Sequence, residues 1–217
     1  KGFTPMHLSV MDGGLDMVEY IYYMSLNYGG MEVFLADTTG KVNLLSGSQP
    51  QLDGLKLSEN GKKAAYLDTD ANTGDTILVE IELGKEKAET VATNVQSFGY
   101  IGNTLIYYFD YTEGVGTLGA AGSKTTIANA SGVQFTEDAV YYVADADAAT
   151  GNGELRAWDG KTETAIAKDV FAFQYKENGK LVYIGKYDVN AGVGDLYYYD
   201  GKEARKLDTG ITAIFIY

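Results

Sequence analysis

The chain of 217 residues contains no cysteine, one histidine and one tryptophan. The absence of cysteine excludes a disulfide framework, a thiolate metal site and a cysteine nucleophile. Because His7 is the single histidine, the chain has few residues from which a catalytic pair of serine or cysteine with histidine could form. Most nucleophilic hydrolase mechanisms are therefore disfavoured.

Positive charge is also scarce, with 17 Lys and Arg against 30 Asp and Glu, a net charge of −13 and a pI near 4.4. The electrostatic field of such an acidic chain repels phosphate backbones and anionic lipid headgroups, so nucleic acid and membrane surfaces are poor partners. No apolar run approaches the roughly 18 residues of a membrane-spanning helix, and the first residues lack the regions of a signal peptide. We expect no direct insertion into a membrane.

Apolar and aromatic residues are abundant, at 45% and 12% of the chain, and are sufficient to form a core. One local context recurs around Tyr23, Tyr66, Tyr108, Tyr142 and Tyr183, in steps of 43, 42, 34 and 41 residues. A period near 41 is typical of propeller blades made of four strands. Apolar and polar residues alternate with period 2 in these segments, which disfavours helical repeats.

The last step of the repeat needs no gap, because residues 139–173 align directly on 180–214. The alignment matches Tyr142 with Tyr183, Gly151 with Gly192, Gly153 with Gly194, and Asp-Gly-Lys at 159–161 with the same residues at 200–202. In the last unit, strands a to d are predicted at about 170–175, 181–187, 195–199 and 203–208. Asn-Gly and Asp-Gly pairs mark the tight turns between them.

Four complete strand sets run from about residue 51 to 208, which leaves three strands at 18–26, 31–37 and 41–46 and one at 211–217. By the repeat phase the last of these is a strand a, and the first three are strands b, c and d. Joining the two ends in one sheet removes exposed edges. The sequence therefore predicts an all-β fold, a five-bladed β-propeller of four-stranded blades over 17–217, closed by pairing of the C-terminal strand with the N-terminal strands.

The segment SENGKKAAYL at 58–67, with the acidic loop and the Asp-Gly-Lys turn that follow, resembles the repeat of TolB-like propellers. The tyrosine-rich repeats are also similar to those of propeller proteins from Gram-positive gut bacteria. These resemblances cover residues 17–217 and imply a propeller fold and, from the TolB-like relatives, protein–protein interaction. They carry over no functional residue, because the shared positions are structural.

Residues 1–21 resemble a single ankyrin repeat, through Thr4-Pro5-Met6-His7 and the spacing of Leu15 and Val18. This resemblance implies a helical segment in which His7 is structural, and it competes with the strand predicted at 18–26. One ankyrin unit cannot bury its own apolar face without neighbouring repeats. Residues 1–16 are accordingly predicted as an N-terminal extension, which is ankyrin-like if this resemblance holds.

The acidic loops between strands b and c are the candidate metal site. Asp68, Asp70 and Asn72 offer oxygen ligands at alternate positions ahead of a glycine, as a short Ca²⁺-binding loop does, and Asp145 and Asp147 repeat this pattern. Ca²⁺ is the one candidate cofactor. The alternative is a solvated loop that is held by Asx turns.

The candidate binding residues are aromatic side chains beside the loops, which stack on sugars or anchor protein partners, and amides on the a strands. They are Tyr28, Tyr111, Trp158, Tyr187, Gln96, Gln134 and Gln174. The tyrosines within the b and c strands are expected to form the core of the blades.

A carboxylate-dependent, glycan-processing enzyme needs two acids about 5–9.5 Å apart in the channel. The a strands carry few acids, with Asp53, Glu59 and Glu137 as the candidates. We therefore predict a monomeric, non-catalytic module that binds a protein or a glycan. The alternatives are that enzyme and a Ca²⁺-stabilised structural spacer. The expected location is the bacterial cell surface or secretion, or the cytoplasm if the ankyrin resemblance holds.

Overall fold

The computed structural model describes residues 5–11, 20–27, 30–37, 42–45, 51–85 and 87–215. All regular secondary structure in these residues is β-strand, and every strand pairing there is antiparallel. The all-β prediction is confirmed for this part of the chain. No helix capable of crossing a membrane occurs among the described residues.

The chain forms two compact units, Lys1–Asn94 and Val95–Tyr217. The strands of the first unit are β1 Pro5–Met11, β2 Tyr20–Asn27, β3 Gly30–Asp37, β4 Val42–Leu45, β5 Gln51–Leu57, β6 Lys63–Thr69, β7 Thr76–Glu82 and β8 Lys87–Thr93. The strands of the second unit are β9 Val95–Ile101, β10 Thr104–Thr112, β11 Val115–Ala120, β12 Thr126–Phe135, β13 Val140–Ala144, β14 Gly153–Trp158, β15 Glu163–Glu177, β16 Lys180–Asp188, β17 Val193–Tyr199 and β18 Ala204–Ile211.

The first sheet of the N-terminal unit has the order β1-β2-β3-β4, and its last three strands are those predicted at 18–26, 31–37 and 41–46. The fourth strand is β1, which pairs with β2 through Leu8 with Tyr23 and Val10 with Ile21. The predicted pairing of 211–217 with β2 is therefore wrong, because β1 and β3 occupy both edges of β2. A local pairing costs less chain entropy than joining the two ends of the chain.

The C-terminal segment also differs from its prediction, because residues 212–215 form no strand. In the ankyrin-like segment, residues 5–11 form strand β1 instead of a helix. Residues 12–19, which carry the rest of that resemblance, lie outside the described residues. The ankyrin resemblance therefore finds no structural support.

The second sheet of the N-terminal unit, β5-β6-β7-β8, is the first complete repeat. Tyr66 of β6 is fully buried and packs in a cluster with Leu55, Ala64, Val79 and Ile81. Strands β6 and β7 carry the segments KAAYLDT and TILVEIE, in agreement with the predicted strands b and c.

In the C-terminal unit, ten strands follow one another in chain order from β9 to β18. The long strand β12 pairs first with β11, up to Ser131, and then with β13, up to Phe135. Strand β15 changes partner from β14 to β16 in the same way, at Val170. Each long strand is thus the last strand of one four-stranded unit and the first of the next.

The change of partner coincides with residues in the left-handed region, Asn129 (φ 56°) and Asp169 (φ 54°). Asn and Asp adopt this conformation at lower cost than other residues that carry a Cβ. A buried residue follows each of them, Ala130 and Val170. This junction reorients the chain from the end of one repeat to the start of the next.

Tyrosines of the b strands lie in the core, as predicted, with Tyr108, Tyr142 and Tyr183 all buried. The hydroxyl of Tyr108 donates to the carbonyl of Ala130 (2.8 Å), and burial raises the pKa of this tyrosine to about 12. The hydroxyl of Tyr142 donates to the carboxylate of Glu163. The rings of Tyr108 and Tyr142 therefore add apolar area to the core while their hydroxyls keep a hydrogen-bond acceptor.

The repeated Gly-x-Gly that precedes strand c has a different physical basis at each position. The first glycine, Gly151 or Gly192, has a φ of 71° or 69°. The second, Gly194 in the last repeat, lies so close to strand b that a Cβ there would be 2.5 Å from Cγ2 of Ile184 and 2.9 Å from the carbonyl oxygen of Gly185.

We expect Gly194→Ala to lower the free energy of unfolding by about 1–3 kcal/mol, because the added methyl group overpacks the contact between β16 and β17. Urea unfolding followed by circular dichroism measures this change. Ala191→Ser, an exposed change in the same loop, is the control and should stay within about 0.5 kcal/mol of the wild type. Equal stability of Gly194→Ala and the wild type would contradict the close approach.

Candidate functional site

A cavity of about 520 Å³ opens in the C-terminal unit. It lies where β9, β12 and β15, the first strands of the three four-stranded repeats, come near one another. Its lining comes from β9, β12 and β15, with additions from β10, from the turn that follows β10 and from β13. The lining residues are Gln96, Ser97, Tyr108, Tyr111, Gly114, Ser131, Gly132, Val133, Gln134, Val143, Phe171, Ala172, Phe173 and Gln174. We call this cavity the glutamine groove.

The structure brings together four of the predicted binding residues in this groove: Gln96, Gln134, Gln174 and Tyr111. The three glutamines lie on β9, β12 and β15, one on each first strand, as the repeat alignment implies. The side chains of Gln96 and Gln174 are exposed and make no hydrogen bond to other residues of the described chain. Their amides are available to a ligand.

Gln134 has a different role, because both ends of its amide are engaged by the neighbouring first strand. Its Nε2 donates to the carbonyl of Phe173 (3.0 Å), and its Oε1 accepts from the backbone N–H of Tyr175 (3.1 Å). The side chain thus binds β15 as a short stretch of β-strand would. Gln134 fixes the distance between β12 and β15 and so sets the width of the groove.

The aromatic part of the groove consists of Tyr108, Tyr111, Phe171 and Phe173. Tyr111 is 48% exposed and meets the ring of Tyr108 edge to face, with ring centroids 5.8 Å apart. Sequence reasoning missed Phe171 and Phe173, although the predicted strand at 170–175 contains both. Their position beside Gln174 on that strand is the signal that identifies them.

Tyr187, another predicted binding residue, supports the groove instead of lining it. Its ring stacks on Phe171 with a centroid distance of 3.9 Å and an interplanar angle of 8°. The amide of Asn152 donates to the carbonyl of Tyr187 (2.9 Å) and accepts from its N–H (3.1 Å). Asn152, which the sequence prediction did not include, therefore holds Tyr187 and, through it, Phe171.

The remaining predicted binding residues lie elsewhere. Trp158 is only 3% exposed and packs in the core cluster that contains Ile106 and Tyr142, at the edge of a second cavity. Tyr28 lies outside the described residues.

The groove carries no charge, because no Asp, Glu, Lys, Arg or His appears among its lining residues. Of the candidate catalytic acids, Glu137 is exposed and is not among the lining residues, and Glu59 is an exposed residue of the N-terminal unit. The side chain of Asp53 lies outside the described residues. The lining offers amides, hydroxyls and aromatic rings, which supply hydrogen-bond donors, acceptors and apolar faces.

The acidic loops share one turn, in which an Asp carboxylate accepts the backbone N–H groups two and three residues later. Asp70 accepts from Asn72 (2.8 Å) and Thr73 (3.2 Å), Asp147 from Ala149 (3.0 Å) and Thr150 (2.9 Å), and Asp188 from Asn190 (2.8 Å) and Ala191 (3.3 Å). In each loop a glycine N–H four residues on bonds to the carbonyl of the same Asp. These turns follow the Asx-turn alternative.

The other predicted metal ligands are also engaged by the protein. Buried Asp68 accepts from the N–H of Thr69 (2.8 Å), and Asp145 accepts from the side-chain amide of Asn129 (3.2 Å). Among the described residues, no group of three or more His, Asp or Glu side chains is placed to hold a metal ion. The geometry provides no support for the predicted Ca²⁺ site.

Backbone hydrogen bonds lower the pKa of Asp147 below its usual value. A lowered pKa in the folded state means that this carboxylate stabilises the fold above about pH 4, and that the contribution is lost as the pH falls through the lowered pKa. We expect Asp147→Ala to melt at a lower temperature than the wild type at pH 7. Asp147→Asn, which keeps the acceptor but not the charge, should fall between them.

Thermal unfolding between pH 7 and pH 2 measures both effects. The difference between the wild type and Asp147→Asn should shrink towards the acidic end, because the wild-type carboxyl becomes neutral there. Millimolar Ca²⁺ should leave the melting temperature unchanged, since ligand binding to the folded state would raise it. A rise with Ca²⁺ that Asp147→Ala abolishes would overturn the assignment of this loop to an Asx turn.

No protein-family model matches the chain, and no curated protein is similar to it in sequence. Solved structures do share its fold. The β-propeller domain of the Trilobed protease from Pyrococcus furiosus, described as having an open velcro topology, matches 94% of this chain and 72% of its own, at 14% identity and a TM-score of 0.55. The described chain has a β-propeller fold.

An acylaminoacyl peptidase in complex with Z-Gly-Gly-Phe-chloromethyl ketone matches 92% of this chain at 12% identity and a TM-score of 0.52. This chain spans only 39% of that peptidase. TolB from Acinetobacter baumannii matches 88% of this chain and 52% of its own, at 13% identity and a TM-score of 0.42. At 12% and 14% identity, the matches to the peptidase and to the Trilobed protease propeller concern the fold alone.

Proposed function

We propose that the chain is a non-catalytic, five-bladed propeller module that binds an uncharged part of a protein or glycan partner in the glutamine groove. The five blades are β1–β4, β5–β8 and the three four-stranded units of β9–β18. The observation that carries the proposal is the lining of the groove, in which Gln96 and Gln174 present free amides beside exposed Tyr111 and no charged residue takes part.

The chemistry of the lining supports this choice of ligand. Each glutamine amide offers a donor and an acceptor, which suits both a sugar hydroxyl and a peptide group. An exposed tyrosine ring stacks on a sugar or packs on an apolar side chain at little entropic cost. The volume of about 520 Å³ accommodates a disaccharide or a few peptide residues.

The same lining favours binding over the glycan-processing alternative. Hydrolysis of a glycosidic bond needs an acid and a second carboxylate across the sugar. The lining of the groove contains no carboxylate, and Glu137 of the same unit is not among its residues. The resemblance to the propeller domain of a protease adds no catalytic residue, because it concerns the fold.

The test is a screen of the wild-type chain against neutral oligosaccharides and short uncharged peptides, followed by titration of the best binder. We expect Gln174→Ala and Tyr111→Ala each to weaken binding by about tenfold or more, as loss of a central contact does. Val189→Ala is the matched control, because Val189 is also 48% exposed but lies outside the groove.

Affinity of Gln174→Ala and Tyr111→Ala equal to that of the wild type would place the binding surface elsewhere. Turnover of an oligosaccharide by the wild type that survives in Val189→Ala would refute the non-catalytic assignment. Whether the binder is a glycan or a peptide decides between the two partner classes.

A further inference from the structure

A second cavity, of about 390 Å³, lies in the same C-terminal unit and shares no residue with the glutamine groove. It is formed by the first residue of β10, by the end of β11 with the loop that follows, and by the end of β14 with the turn after it. Its lining residues are Thr104, Ala120, Ala121, Gly122, Ser123, Thr125, Trp158, Gly160 and Lys161. We call it the Trp158 cavity.

The turn at 159–161 forms one wall of this cavity and is held rigidly. The carboxylate of Asp159 accepts the backbone N–H groups of Lys161 (2.8 Å) and Thr162 (2.7 Å). Gly160 has a φ of 91°, and a Cβ there would be 2.9 Å from Cγ2 of Thr104. The turn therefore packs directly against β10, and Lys161 begins from a fixed backbone position.

The charge of the Trp158 cavity differs from that of the rest of the chain. Its lining contains one cation and no carboxylate, although the whole chain has a net charge of −13. Within the described residues, Lys161 forms no ion pair, whereas Lys63 pairs with Glu80 and Lys206 pairs with Asp195. Asp159, in the same turn, interacts electrostatically with Lys161 but is not among the lining residues, and its Oδ1 accepts two backbone N–H groups.

Three hydroxyl groups lie in the same lining, on Thr104, Ser123 and Thr125. The Oγ of Ser123 accepts the backbone N–H of Thr125 (3.0 Å), which leaves the hydroxyl proton of Ser123 to donate. A lysine together with hydroxyl donors is the set that a carboxylate binds through charge-assisted hydrogen bonds. Ala120, Ala121 and the edge of Trp158 supply an apolar wall.

We propose that the Trp158 cavity binds a small ligand through its carboxylate, which pairs with Lys161 and accepts from Ser123, while the rest of the ligand lies against Ala120, Ala121 and Trp158. The volume suits an acidic monosaccharide or an acylated amino acid. Both ligands present the same carboxylate on a compact body. This site is independent of the proposed function of the glutamine groove.

Trp158 is the single tryptophan of the chain, so tryptophan fluorescence arises from one residue that lines this cavity. The experiment titrates the wild-type chain with galacturonate, with N-acetylalanine and with galactose, a neutral sugar of the same ring size. Ligand-observed saturation-transfer NMR on the same samples detects binding that leaves the fluorescence unchanged. We expect saturable binding of at least one acid in the millimolar range or below, and none of galactose.

Lys161→Gln removes the charge and should weaken binding of the acid by about tenfold or more, the factor expected for a lost charge-assisted hydrogen bond. Lys202→Gln is the matched control, because Lys202 occupies the same position of the Asp-Gly-Lys turn in the next repeat. Ser123→Ala, on an exposed loop, tests the hydroxyl separately and should also weaken binding. Circular dichroism verifies that the variants fold.

The proposal is overturned if neither acid binds by either measurement, if galactose binds as well as galacturonate, or if Lys161→Gln binds as tightly as Lys202→Gln. Preference for galacturonate over N-acetylalanine identifies an acidic sugar as the ligand class, and the reverse identifies an amino-acid carboxylate. The Gln174→Ala variant of the glutamine groove should bind the acid as the wild type does, which separates the two sites.

Discussion

The burial of the b strands on both faces is the constraint on which the C-terminal unit depends. All five residues of β13, Val140–Ala144, are buried, although successive side chains point to opposite faces of a strand. Such a strand is stable only if other parts of the unit cover both of its faces. The two core clusters provide this cover, one around Tyr142 and one around Tyr141. Tyrosine suits the position of Tyr142 because its ring fills the core while its hydroxyl donates to Glu163.

The glutamine groove is a consequence of this packing. Because the b strands are covered on both faces, the first strands β9, β12 and β15 come near one another, and their polar side chains line the same groove. The amide of Gln134 makes two hydrogen bonds with the backbone of β15. These bonds link two successive four-stranded repeats of the C-terminal unit without burying a charge. The side-chain amide of Asn152 makes the same two hydrogen bonds, in this case with the backbone carbonyl and N–H of Tyr187. The remaining amides, on Gln96 and Gln174, are left for a ligand.

Much of this could be predicted from the sequence, because the repeat is set by local rules: alternation, left-handed turn residues and close-packed glycines. The repeat phase also placed Gln96, Gln134 and Gln174 on equivalent strands. It assigned 211–217 as the partner of β2 and left Pro5–Met11 outside the sheet, because the repeat phase does not register that pairing with a neighbouring segment costs less chain entropy. Nor could it separate Tyr111, which lines the groove, from Tyr187, whose ring is covered by Phe171. That difference arises from contacts between four-stranded repeats of the C-terminal unit, and the sequence of a single repeat does not encode such contacts.

The two cavities of the C-terminal unit differ in the physical origin of their selectivity. In the glutamine groove, an uncharged lining removes any attraction for ions, so recognition depends on hydrogen bonds and ring contacts. In the Trp158 cavity, Lys161 must attract an anion against the field of an acidic protein. Salt screens distant charges beyond about 8 Å at physiological ionic strength, whereas a direct contact is screened much less. The local pairing with Lys161 can therefore prevail over the net charge, and the absence of any carboxylate from that lining is what permits it.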